Sequence, residues 1–111
     1  MNIQVRPARP HITGATGPLY QRAPTRDPEG RAYSDFMVLI PGIREMSSEQ
    51  LNDRVAGLQA VLGSYEQIVF ADLNLNLNLL WVTLKPQLGL IPRIAQALRD
   101  RIPEAKLVAH E

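Results

Sequence analysis

Leu73-Asn74-Leu75-Asn76-Leu77-Asn78-Leu79 alternates leucine with asparagine without a break. A period of two belongs to a strand with one face on a core and the other in water. Within residues 67–85 the run is too long for one average strand. A turn is therefore expected near Asn76, because asparagine tolerates left-handed backbone better than most residues. The loop length then sets the faces. An even-numbered loop puts Val69, Ala71 and Leu73 on one side with Leu80, Val82 and Leu84. An odd one would seat Asp72 among those apolar side chains, at a cost on the order of a kcal/mol or more. The even loop is expected.

The flanking residues supply the remaining elements. Phe36-Met37-Val38-Leu39-Ile40 is a continuous apolar run closed by Pro41-Gly42, the pattern of a central strand covered on both faces. Ser47 with Gln50 matches a capping box. Behind it Leu51, Val55, Leu58 and Leu62 recur at helical spacing, and Gly63 suits a left-handed C-terminal cap. A second helix is expected from residues 90–92, with Pro92 tolerated in its first turn. Its stripe is Ile91, Ala95, Leu98 and Ile102, and Pro103 ends it. Lys106-Leu107-Val108-Ala109-His110 reads as a last short strand. The order β-α-β-β-α-β, with both helices on one face of an antiparallel sheet, is the α+β ferredoxin-like arrangement.

Residues 1–35 differ from residues 36–111, which hold the ferredoxin-like domain. Five of the nine prolines lie there (Pro7, Pro10, Pro18, Pro24, Pro28), with five arginines against three acids. Proline lacks an N–H and disfavours helix in the residue before it, so the segment reads as an extended arm. Ile3, Val5, Ile12, Leu19 and Tyr20 are apolar enough to dock, so an arm that wraps a partner subunit stands beside one that extends into solvent.

Composition narrows the function classes. At 111 residues the chain has room for one core. A net charge of +1 supplies no long-range pull toward nucleic acid or anionic lipid. With no cysteine there is no disulfide, thiolate metal site or thiol nucleophile. No apolar run is long enough for a signal peptide or a membrane span, so a cytoplasmic location is expected.

On the even register the helix-free side of the sheet carries Ile68, Phe70, Asp72 and Asn74 from one strand. Its neighbour adds Leu79, Trp81, Thr83 and Lys85. Such a patch exceeds what monomers usually expose, and aromatics are common interface anchors. A homodimer through this face and the arm is expected; an arm folded over its own sheet is the alternative. Stacking of single-stranded RNA is disfavoured, because residues 79–85 lack a Gly/aromatic alternation and few cations accompany them.

The candidate chemistry is sparse. Asp72 beside Trp81 and Lys85 could serve as a general base in a raised-pKa setting. Without a histidine or second acid it reads better as an interface acid hydrogen-bonded to Thr83 or Asn74. His110 and Glu111 could take part in a divalent-metal site, although adjacent strand residues point to opposite faces. His11 reads as a solvated loop residue. Gly14-Ala15-Thr16-Gly17 is too short for a phosphate loop and lacks its lysine. Arg93, Arg99 and Arg101 read as the solvated face of the second helix. No cofactor is called for.

From residue 49 to 111 the pattern resembles the cytoplasmic C-terminal domain of cation-diffusion-facilitator transporters, which runs helix, two strands, helix, strand. The closest stretch is Ile94-Ala95-Gln96-Ala97-Leu98-Arg99-Asp100-Arg101-Ile102-Pro103-Glu104-Ala105-Lys106-Leu107-Val108-Ala109-His110. The resemblance implies a dimerising regulatory module that binds divalent metal, with His110 at one ligand position. The chain departs from that family in having no membrane domain, no His-Asp pair around residues 65–72, and an extra strand and arm in front. The expected function is a small non-catalytic, homo-oligomeric interaction or regulatory domain. The alternatives are a dimeric enzyme or ligand-binding protein with its pocket on the open sheet face, and a metal-sensing domain.

Overall fold

A computed structural model describes residues 2–6 and 29–110, with side chains for residues 29–108. His11, residues 14–17 and Glu111 lie outside the described residues, as does the arm from residue 7 to 28. The elements are β1 (Asn2–Arg6), β2 (Ser34–Leu39), a 3-10 turn (Ile43–Glu45), α1 (Ser48–Gly63), β3 (Ile68–Asn74), β4 (Leu79–Leu84), α2 (Leu90–Arg101) and β5 (Lys106–His110).

The sheet order is β1-β3-β4-β2-β5, antiparallel at every junction. Strands β2 to β5 with the two helices make the expected ferredoxin-like core. β1 extends it at the β3 edge. Asn2–Arg6, expected within the arm, instead pairs with β3, and β2 begins at Ser34 rather than residue 36. The missed signal was local: Asn2-Ile3-Gln4-Val5-Arg6 alternates polar and apolar residues, and the prolines after it masked that short period.

Residues 75–78 form the loop between β3 and β4, pairing Leu73 with Leu80 and Ala71 with Val82. The even register therefore holds. One core joins those four to Phe36 and Val38, to Leu58 and Leu62 of α1, and to Leu90, Ile94 and Leu98 of α2.

Ile68 departs from the expectation. A bulge between Ile68 and Phe70 leaves Val69 without a partner and sets Ile68 opposite Leu84. An extra residue reverses the alternation beyond it. Ile68 thus leaves the helix-free side and is buried in the core, while Val69 is only half-buried.

α1 starts with the expected capping box: the Gln50 N–H donates to Ser47 Oγ at 3.2 Å, and the Ser47 N–H donates to Gln50 Oε1 at 3.1 Å. Its end is not left-handed. Gly63 is the last helical residue, and Ser64 (φ −78°) closes the helix by donating its N–H to Val61 O and its hydroxyl to Ala60 O at 2.9 Å. α2 buries Leu90, Ile94, Ala95 and Leu98. The expected Ile91 is only half-buried, because the helix carries two adjacent apolar rows and the one aimed at the sheet wins.

Arg101 lies across Gly57, where an added Cβ would come within 2.9 Å of its Nε. It is therefore more than a solvated side chain. Arg54 ties α1 to the α2–β5 connection through Glu104, Nε to Oε2 at 2.9 Å, and this contact raises the guanidinium pKa. Both partners are about a third exposed, so Glu104→Gln should cost no more than about 1 kcal/mol, and less in high salt. Urea melts at low and at 1 M NaCl would check it.

Candidate functional site

β3 and β4 present the residues singled out in the sequence on the side of the sheet away from the helices. Asp72 pairs with Trp81, Phe70 with Thr83, and Asn74 with Leu79. β2 adds Met37 opposite Trp81, Asp35 opposite Thr83 and Leu39 opposite Leu79. Backbone register lines up Gln4, Asp72, Trp81, Met37 and Ala109 in one row across all five strands. None of Phe70, Trp81, Leu79, Met37 or Leu39 belongs to the helix-covered core.

Exposure divides this face into two zones. Phe70 (0%), Asp72 (1%) and Thr83 (2%) are buried within the single chain. Trp81, Leu79, Met37 and Leu39 are half-buried. Phe70 was expected to be exposed, and that expectation fails. These four half-buried apolar side chains belong to β4 and β2.

The polar groups are arranged differently from the expectation too. Thr83 Oγ accepts from the Trp81 indole N–H at 3.1 Å, a contact that fixes the ring, since residues i and i+2 of a strand share a face. Asn74 Oδ1 accepts from the Leu77 N–H at 3.1 Å and folds the start of the loop. Among the described residues, no buried side-chain nitrogen or oxygen lacks a hydrogen-bond partner. Lys85 is exposed just beyond the end of β4, where its N–H donates to Gln67 O at 2.8 Å.

The three asparagines of the hairpin do different work and make no ligand ladder. Asn74 caps the loop and Asn76 is exposed. Asn78, not Asn76, takes the left-handed conformation (φ 56°). Its carbonyl accepts from the Ile40 N–H at 2.7 Å and its Oδ1 from the Arg44 N–H at 2.9 Å.

The metal expectation rested on His110 and Glu111. His110 stands in β5 opposite Phe36 by backbone register, and Glu111 lies outside the described residues. Among the described residues no three His, Cys, Asp or Glu side chains are placed to hold a metal ion.

A cleft of about 410 Å³ opens at the far end of the sheet, lined by Ser34, Leu84, Ile91, Pro92 and the loop from Pro86 to Gly89. It includes none of Phe70, Asp72 and Trp81. No described helix is long and apolar enough to cross a membrane. No protein-family model, no curated protein and no solved structure matches the chain.

Proposed function

We propose that the chain is a small homo-oligomeric interaction domain without catalytic activity, pairing through the helix-free side of its sheet. One observation carries this reading. Met37 and Leu39 of β2 stand directly opposite Trp81 and Leu79 of β4, all four half-buried, outside the core and in the middle of the sheet. An apolar strip of that kind, holding a tryptophan whose N–H is already satisfied, suits a flat contact with a second copy about a two-fold axis. Phe70, buried within the single chain, is not itself the contact.

The enzymatic alternative has less behind it. Asp72 is buried, has no histidine in its cross-strand row, and lies outside the described cleft. A general base needs reach to a substrate proton, and Asp72 is only 1% exposed.

Light scattering on size-exclusion fractions at about 100 µM tests the proposal. The wild-type mass should be at least that of a dimer, and Met37→Lys together with Leu79→Lys should lower it while leaving the far-UV spectrum unchanged. A wild-type monomer at that concentration would end the reading. So would an assembly indifferent to both substitutions.

A further inference from the structure

β1 is tied to the rest of the sheet by far more chain than its position requires. Arg6, where β1 ends, and Ser34, where β2 begins, are separated by three strand spacings in the order β1-β3-β4-β2. At the usual distance between neighbouring strands that is about 15 Å, with a small offset along them. About six extended residues would bridge the gap. The chain uses 27, from residue 7 to residue 33. At full extension they cover roughly 90 Å, well beyond the protein's longest dimension of 41 Å.

The contact at the end of this tether is specific. β1 lies antiparallel on β3, with Asn2 opposite Asn74, Ile3 opposite Leu73, Gln4 opposite Asp72 and Arg6 opposite Ala71, and α1 lies against it. β2 to β5 with the two helices already complete the ferredoxin-like core, so β1 is a strand added at an edge. Without it the edge of β3 would present a row of unpaired backbone N–H and C=O groups, a template for another strand. The strand that the coordinates seat there is Asn2–Arg6.

We propose that this strand is exchanged between copies: the β3 edge of one chain holds β1 of a second, and the second holds β1 of the first. The exchanged pairing repeats the same residues in the same register, so it differs from the closed chain only in which tether carries the strand. In a free chain the tether favours the chain's own edge, because it holds β1 at an effective concentration on the order of mM. In two copies paired through the helix-free side, the partner's strand is tethered within similar reach, and that advantage disappears. The exchange therefore rests on the pairing proposed above. It changes that pairing from a contact that separates freely into one that must first release two strands.

The chain has no cysteine, so introduced thiols report the exchange directly. Asn2 and Asn74 stand opposite one another, a separation that a disulfide spans. Asn2→Cys and Asn74→Cys, made in separate chains, are mixed at the concentration used for light scattering and oxidised with glutathione disulfide. Exchange links one chain of each kind and doubles the mass from 12.4 kDa on a non-reducing gel. Asn2→Cys mixed with Leu88→Cys, a fully exposed position outside the sheet, measures random collision and should link far less. Both asparagine substitutions in one chain, oxidised at high dilution, should close within that chain, which shows that the altered protein keeps its fold and register. If they close there while the mixture links no better than the Leu88 control, the exchange is overturned, and a dimeric wild type then leaves the sheet-face reading standing. If they do not close, β3 is not the seat of the strand and the exchange falls with it. A mixture that links while the wild type scatters as a monomer keeps the exchange and ends the sheet-face reading alone.

Discussion

Phe70→Ala should cost about 3–5 kcal/mol of folding stability, and the loss should be the same at 2 µM and at 200 µM. The ring is 0% exposed within one chain although it lies outside the helix-covered core. Truncating it removes buried contacts and leaves a cavity whatever a second copy does. Against a total of about 5–15 kcal/mol for a domain, that is roughly a fifth of the whole or more, on the order of 15–30 °C in melting temperature. Had the ring been covered only by a partner, the loss would grow with protein concentration, because dissociation would already expose it. Urea melts at the two concentrations distinguish the cases, and a cost below about 1 kcal/mol would mean that the ring is not enclosed. Trp81→Ala should cost less in the monomer, since its ring is half-buried.

Asn78→Ala should destabilise by about 2 kcal/mol, combining a left-handed backbone that alanine resists with a lost acceptor. The residue holds φ 56°, and its Oδ1 takes the Arg44 N–H. Asn78→Gly separates the two contributions. Glycine enters the left-handed region freely, so only the side-chain hydrogen bond is lost, and water replaces it in part at this exposed site. The expected cost is about 0.5–1 kcal/mol. Thermal melts should therefore rank wild type above glycine and glycine above alanine. An alanine variant as stable as wild type would show that the hairpin does not depend on this conformation. The Asn78 carbonyl, which accepts from the Ile40 N–H, is present in all three proteins and does not bias the comparison.

The leucine/asparagine alternation made the hairpin legible, and the cost of burying Asp72 among apolar residues chose its parity. It could not say which asparagine would turn left-handed. Asn74, Asn76 and Asn78 are chemically identical, and Asn78 is selected because the end of β2 passes there with the Ile40 and Arg44 N–H groups in need of acceptors. Ile68, Val69 and Phe70 are three good strand formers in a row, so no local preference marks the bulge between them. It serves the far side of the sheet by delivering Ile68 to Leu84 in the core. In α2 the same ambiguity arises between the rows starting at Leu90 and at Ile91, and packing against the sheet resolves it. The candidate face was legible in its membership, for Phe70, Asp72, Trp81 and Thr83 do share a side. Its exposure was not, because exposure depends on what crosses the face from elsewhere in the chain.

By itself the sequence determined the element order, the capping box at Ser47 and Gln50, the even hairpin and the sidedness of β3 and β4. Each of these depends on neighbours within a few residues, where backbone preference and the periods of 2 and 3.6 act directly. Tertiary structure alone decided that Asn2–Arg6 pairs with the β3 edge, and likewise the bulge that moves Ile68, the left-handed Asn78 and the burial of Phe70. Those outcomes compare contacts between residues far apart in the chain, whose energies exist only once the sheet has closed.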